Sequence, residues 1–282
     1  MKKGNDLAIV KWAGGKRQLL SQLEPLFPKK IDRYFEPFIG GGAVLFYILQ
    51  TRKPKEIYIS DINEELINVY EVVRDDIDNL IVLLKKYKQQ HQKHGKEFYL
   101  KIRSQDREDM EVMSKLSRAA RFIYLNKTCF NGLYRVNSKG QFNVPMGAYK
   151  NPGIVQENQL REISKLLKNV KIKVQSFEKI SSKVKKGDFI YFDPPYYPLN
   201  RESFTTYTKD DFLEKEHKRL FKLFEELDKK GAKVMLSNSN APFVLDLYQK
   251  YSKKTKHVDA TRMINCNAEK RGKIKEVVIL NY

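Results

Sequence analysis

Asp188-Phe-Ile-Tyr-Phe-Asp-Pro-Pro-Tyr196 carries an abrupt change of backbone chemistry. Phe189 to Phe192 is an apolar, aromatic run of the length of one buried strand. Pro194 and Pro195 then lack N–H groups and fix φ, so the chain can neither continue a ladder nor begin a helix. The break leaves the Asp193 carboxylate, the Pro194 carbonyl and the Tyr196 ring at the carboxyl end of a strand. In open α/β sheets that is where ligands bind. Two acceptors beside a stacking ring suit the exocyclic amine of a flat base. For four residues taken alone, a strand-ending turn is the plain alternative.

Working outward, Ile9-Val-Lys-Trp12 reads as extended and leads into Ala13-Gly14-Gly15-Lys16. The glycines admit a ligand close to the backbone. Lys16 meets an anion or carboxylate there, or is a solvated lysine. A helix is expected from Arg17 to Leu26. Arg33 to Glu36 reads as a strand, running into Pro37-Phe38-Ile39-Gly40-Gly41-Gly42 and a helix from Ala43 to about Leu49. Strand, glycine turn and helix open a nucleotide-type βαβ unit, although the pattern is neither GxGxxG nor Walker A. The next strand, Ile57 to Asp61, ends in an acid placed for ribose hydroxyls. Asn63 is the expected N-cap of the following helix, with Glu64 and Glu65 in its first turn.

From Asn63 to Met110 the pattern is helical and charged, and Lys85-Lys-Tyr-Lys88 reads as a solvated face. A second helical stretch runs to Lys127, with Met113, Leu116, Ala120, Ile123 and Tyr124 spaced as one core face. The texture changes over Thr128 to Pro152, which is rich in Asn, Gly, aromatics and cations. Arg135-Val-Asn137, Ser-Lys-Gly and Gln141-Phe-Asn-Val144 predict a hairpin. Arg and Asn are the side chains that read guanine and adenine edges in a major groove. Phe130 and Tyr134 are candidates to wedge or stack on bases. Downstream, a helix (Gln156 to Lys168) and strand (Val170 to Val174) precede the central strand. Tyr197 to Tyr207 reads as a loop over the site. A helix capped at Thr208-Lys-Asp-Asp211 runs to Asp228. Strands follow at Gly231–Asn238, Lys256–Ala260 and Glu276–Asn281, with a basic loop, Arg262 to Lys275, as a candidate phosphate contact.

The 282 residues carry 54 Lys+Arg against 34 Asp+Glu, a formal net charge of +20, which favours a polyanionic partner, nucleic acid first. The N-terminus lacks the apolar run of a signal peptide, and Phe38 to Leu49 is too short and glycine-rich to span a bilayer. A cytoplasmic protein without membrane contact is expected. Cys129 and Cys266 are lone and distant, there are four histidines, and no metal site is expected.

The ordered set Lys11-Trp-Ala-Gly-Gly-Lys16, Phe35-Glu-Pro-Phe-Ile-Gly-Gly-Gly42, Ser60-Asp-Ile-Asn63, Asn131-Gly-Leu-Tyr-Arg135, Gln141-Phe-Asn-Val-Pro-Met-Gly147 and Asp193-Pro-Pro-Tyr196 closely resembles the Dam-type DNA adenine-N6 methyltransferases of the α group (D12 class). It spans nearly the whole chain. The resemblance implies an α/β fold: a Rossmann-like sheet with helices on both faces, over 1–70 and 160–282. A smaller helical and hairpin DNA-recognition domain is implied over 71–159. It implies S-adenosylmethionine as cofactor, with Trp12, Ala13, Gly14 and Lys16 against it. Phe35, Glu36, Pro37, Gly40 and Gly42 would lie under its methionyl part, Asp61 and Ile62 at its ribose, and Phe177 against its adenine. Asp193, with Pro194 and Tyr196, would hold the flipped target adenine. Phe130, Leu133, Arg135, Asn137 and Pro145 would contact double-stranded DNA at GATC. A cognate restriction endonuclease acting on the same site is an implied partner, and the enzyme is expected to be a monomer. Two departures stand out: Ser176 where the family often has an acid before the aromatic, and Ala148 where some members have a basic residue. Cytosine N4, RNA adenine or cofactor binding without turnover are the alternatives that the amine-binding motif leaves open.

Overall fold

The computed structural model describes residues 7–12, 14–108, 112–199, 212–261 and 273–282, with the side chains at 108, 261, 273 and 274 excepted. The expectations placed on Ala13, Met110, the loop 200–207, the cap 208–211, Cys266 and the basic loop 262–272 lie outside the described residues.

Seven strands form one mixed sheet in the order β3-β2-β1-β4-β5-β7-β6. They are β1 (Arg33–Glu36), β2 (Glu56–Asp61), β3 (Val170–Val174), β4 (Phe189–Phe192), β5 (Lys233–Ser239), β6 (Lys256–Thr261) and β7 (Lys273–Leu280). The central strand of the sequence reading, β4, is parallel to β1 and β5, and β1 is parallel to β2. β7 runs antiparallel to both its neighbours, β5 and β6. β4 is buried along its whole length, as its unbroken apolar run requires, whereas β3 at the edge alternates. Eight α-helices are described: α1 (Leu20–Leu23), α2 (Ala43–Thr51), α3 (Glu64–Asp75), α4 (Ile77–Glu108), α5 (Lys115–Thr128), α6 (Glu157–Leu167), α7 (Glu214–Lys229) and α8 (Pro242–Leu247). The α/β class expected from the sequence is the one observed.

The chain divides into two compact units, one of Met1–Gly15, Gly40–Tyr47 and Asp61–Val174, the other of Lys16–Ile39, Ile48–Ser60 and Gln175–Tyr282. In the second unit Leu220, Leu223, Phe224 and Leu227 of α7 join Ile190 and Phe192 of β4 and Val234 and Leu236 of β5 in one buried apolar cluster. These helix positions recur at three and four residues, so one face of α7 is core. At the opposite end of β4, Arg33 donates to Asp188 at 2.9 Å. In the first unit α5 is buried from Ala119 to Asn126, all round rather than on one face. Asn63 caps α3 as expected, accepting from the Leu66 N–H at 3.0 Å.

Several local expectations differ. Ile9 to Trp12 is not a strand. The Asn126 side chain accepts from the Lys11 N–H and donates to its C=O, both at 2.8 Å, taking the place of a neighbouring strand. Arg17 to Leu26 is α1 flanked by two 3₁₀ turns rather than one helix. The long charged helix is two helices meeting at Asp76, and Gly95 within α4 takes φ 47°, ψ −115°. Little but glycine adopts that conformation, so the helix breaks its axis there. The hairpin after α5 is made of two isolated antiparallel bridges, Cys129 with Met146 and Val136 with Phe142, rather than of strands.

Candidate active site

β4 ends at Phe192 and Asp193 follows it, at the carboxyl edge of the parallel strands. In this unit the structure brings together Lys16, Asp193 and Tyr196. Lys16 opens the first 3₁₀ turn and is only 3% exposed, so it is not the solvated lysine of the plainer reading. Its Nζ lies 2.9 Å from Asp193 Oδ1 and 4.6 Å from the centre of the Tyr196 ring. Burial pushes the Asp193 carboxyl up from 3.8 to about 6; the Lys16 ammonium holds it down and Glu276 adds to the rise. Glu36, at the end of β1, is 3% exposed, accepts from the Tyr34 hydroxyl at 2.7 Å, and is also raised by burial. The raised Asp193 carboxyl thus stands at a strand end beside the buried tyrosines Tyr34 and Tyr191.

The chain beyond the two prolines is gripped from β5. Asn238 Oδ1 accepts from the Tyr197 N–H at 3.1 Å, and the Ser239 hydroxyl donates to the Tyr197 C=O at 2.6 Å. The Tyr196 phenol donates to Glu276 of β7 at 2.7 Å. Sequence reasoning missed Asn238, Ser239 and Glu276. The one signal was their position, an Asn-Ser pair closing a strand and an acid opening an apolar run.

Phe177 stacks on Phe38 at 5.3 Å, and the Arg219 guanidinium lies 5.7 Å from its centre. Ser176 donates to Glu178, which also pairs with Arg219, so an acid stands two residues after the position of the family's own. Phe35 is fully buried and stacked on Tyr58 at 4.6 Å, and Pro37 is buried too.

In the other unit, Gly40 (φ +47°) and Gly42 (φ +74°) form a turn with no room for side chains. A Cβ would stand 2.8 Å from the Trp12 ring at Gly40 and 2.5 Å from the Tyr70 hydroxyl at Gly42. Asp61, ending β2, accepts from the Gly40 and Asn63 N–H groups at 3.5 and 3.0 Å, and burial raises its carboxyl. Ile62 is 74% exposed, an apolar side chain left bare beside that acid. Gly14 is exposed at φ 77°. Trp12 stacks on Tyr134 at 5.7 Å, so Tyr134 packs within the unit instead of presenting its face to a base.

The hairpin presents Phe130, Arg135 and Pro145 to solvent, with Leu133 and Asn137 half-buried. Arg135 is braced by Asn143 Oδ1 at 2.8 Å. Asn137 is not free to read a base edge. Its Oδ1 accepts from the Lys139 and Gln141 N–H groups and its amide donates to Gln141 Oε1, an Asx turn closing the hairpin tip. The return arm is held from α4. Asp106 accepts from the Phe142 N–H at 2.6 Å, and Tyr99 donates to the Val144 C=O at 2.8 Å.

Among the described residues no helix is long and apolar enough to cross a membrane. The D12 class N6 adenine-specific DNA methyltransferase family matches residues 12–264. Type II methyltransferase M.MjaIII of Methanocaldococcus jannaschii is 50% identical, over 97% of this chain and 98% of its own. Type II methyltransferase M1.LlaDCHI of Lactococcus lactis subsp. cremoris is 46% identical, over 97% and 95%. A DNA adenine methylase of Haemophilus influenzae is 34% identical, over 96% and 92%.

Proposed function

The chain belongs to the D12 class of N6 adenine-specific DNA methyltransferases, and from that premise we propose that it methylates N6 of an adenine flipped out of duplex DNA, at GATC, using S-adenosylmethionine. One observation carries the reading: a half-buried carboxylate and an aromatic ring, Asp193 and Tyr196, held at a proline-broken strand end with the Lys16 ammonium close to both.

The residues present fit that cofactor. The bare backbone at Gly40–Gly42 leaves no Cβ in the way, Asp61 supplies an acceptor for ribose hydroxyls, and Ile62 an exposed apolar surface. Trp12, Gly14, Lys16, Glu36 and Phe177 complete the proposed set. When bound, S-adenosylmethionine supplies an electrophilic methyl group on a sulfonium.

The adenine amine is a poor nucleophile because its lone pair is delocalised into the ring. Asp193 and the Pro194 carbonyl accept its two N–H bonds, which favours a pyramidal nitrogen with the lone pair free. Tyr196 sets the plane of the base. The nitrogen turns positive as it attacks, so the carboxylate stabilises the transition state more than the ground state. The base leaves the duplex at a cost of a few kcal/mol, offset by the basic hairpin, with exposed Phe130 as the wedge and Arg135 as a reader of guanine. Residues 1–70 and 160–282 then carry the chemistry and 71–159 the recognition. Two relatives of this length are named Type II methyltransferases, which supports a role protecting DNA from an endonuclease cutting the same site.

Methyl transfer to duplexes that differ only in holding GATC or GATT, followed by base analysis, tests the reading. N6-methyladenine confined to GATC is expected. Equal labelling of both duplexes refutes the GATC assignment, and label in cytosine refutes the base.

A further inference from the structure

We propose that Glu276 is a positioning residue for the target base: its carboxylate locks the Tyr196 ring through the phenol, so that an extruded adenine meets a preset stacking plane. The inference rests on the reading of Asp193 and Tyr196 given above. After Pro194 and Pro195 the backbone is already held, since Asn238 and Ser239 of β5 grip the N–H and C=O of Tyr197. The freedom that remains at Tyr196 is rotation of its side chain, and the 2.7 Å bond from its hydroxyl to Glu276 Oε2 removes it. The sheet delivers that carboxylate. β7 runs antiparallel to β5 with Glu276 opposite Ser239, the residue that grips Tyr197. The phenol is the donor throughout the working pH range, because burial and the charges of Asp193 and Glu276 hold its pKa well above the ordinary tyrosine value. A neutral donor to an ionised acceptor makes one of the stronger hydrogen bonds available to a side chain.

Glu276 has a second effect that separates it from a structural prop. Asp193 is faced by Lys16 from the first 3₁₀ turn, Glu36 and Tyr34 from β1, Tyr191 from β4, Tyr196 from the break and Glu276 from β7. Among these, Glu276 is the acid that pushes the Asp193 carboxyl up, against the Lys16 ammonium. Glu276→Gln keeps an acceptor for the phenol and removes the charge, whereas Glu276→Ala removes both.

The test is steady-state methyl transfer to a GATC duplex at saturating methyl donor, from pH 5 to 9, for Glu276→Gln, Glu276→Ala, Tyr196→Phe, Glu276→Ala with Tyr196→Phe, and Asp193→Ala. Glu276→Ala and Tyr196→Phe are each expected to lose about 10- to 100-fold in kcat/KM for DNA, from one charge-assisted bond. The double variant should lose no more than either single one. Glu276→Gln should recover most of the activity at pH 8, with its acid limb displaced to lower pH. Full activity in Glu276→Ala, multiplying losses in the double variant, or an unmoved acid limb in Glu276→Gln overturns the inference. Where Glu276→Ala fails to fold, Tyr196→Phe and Glu276→Gln decide through the recovery and the limb. Asp193→Ala tells the two failures apart. Transfer retained there sinks the reading of the corner itself, while its loss beside a fully active Glu276→Ala sinks the role of Glu276 alone.

Discussion

Replacing Lys16 with Met probes what its ammonium does for Asp193. The Asp193 carboxyl stands at about 6 against an ordinary 3.8, even with Lys16 Nζ 2.9 Å away. That rise is worth about 3 kcal/mol against the ionised form, at about 1.4 kcal/mol per unit. Stabilising the positive charge that develops on the attacking nitrogen requires the ionised form. About nine-tenths of the unaltered protein is therefore competent at pH 7, about half at pH 6 and about a tenth at pH 5. Lys16 is the charge that holds the value down. An opposite charge at such range lowers a carboxyl by about 1–3 units, so without it the acid limb moves to between about 7 and 9. The assay is kcat/KM for duplex DNA from pH 5 to 9.5 at saturating methyl donor, which reports the donor-loaded enzyme before DNA binds. Lys16→Met should lose about tenfold at pH 7 for a two-unit displacement and recover as pH rises. A limb left near pH 6, with a uniform loss at every pH, refutes the pairing as the source of Asp193 ionisation and leaves Lys16 as a cofactor contact only.

Two further outcomes concern stability. His217 is 1% exposed among Tyr197, Phe212 and Phe243, and burial lowers it from 6.5 to about 4. The unfolded chain binds that proton first, so stability is full above about pH 6.5 and falls by about 3 kcal/mol as pH drops towards 4. In urea titrations His217→Phe should narrow the gap in midpoint between pH 7.5 and pH 5, and an unchanged gap would exclude His217 as its source. Asp106 pairs with Arg121 at 2.8 Å, both nearly buried, and accepts the Phe142 N–H. Asp106→Ala removes the counter-charge of a guanidinium that keeps only the Ile102 and Arg103 carbonyls as acceptors, and should cost about 3–5 kcal/mol in urea denaturation, whereas a loss under 1 kcal/mol would show the pair to be dispensable.

What could be read from the chain is what local chemistry decides. The β4 run and its two prolines, the glycine turn between β1 and α2, the acid ending β2 and the Asn63 cap are each set by residues within a few positions of one another. What could not be read depends on distant partners. Ile9 to Trp12 has the composition of a strand, but its backbone is met by the Asn126 amide, 115 residues away, and no local pattern announces that. Asn137 has the chemistry of a base reader, yet the turn it sits in takes up both ends of its side chain. Glu276 looks like the polar start of an apolar strand, and only the fold brings it to Tyr196, 80 residues earlier. Composition says which groups are available, and tertiary contacts decide which remain free for a ligand.

The central claim is that the Asp193 carboxylate activates an adenine amine. Purified Asp193→Ala protein, incubated with labelled S-adenosylmethionine and a GATC duplex and then assayed for N6-methyladenine alongside DNA binding, tests it most directly. The account predicts binding within a few-fold of the unaltered protein and no N6-methyladenine above background. Methylation at an undiminished rate would contradict it.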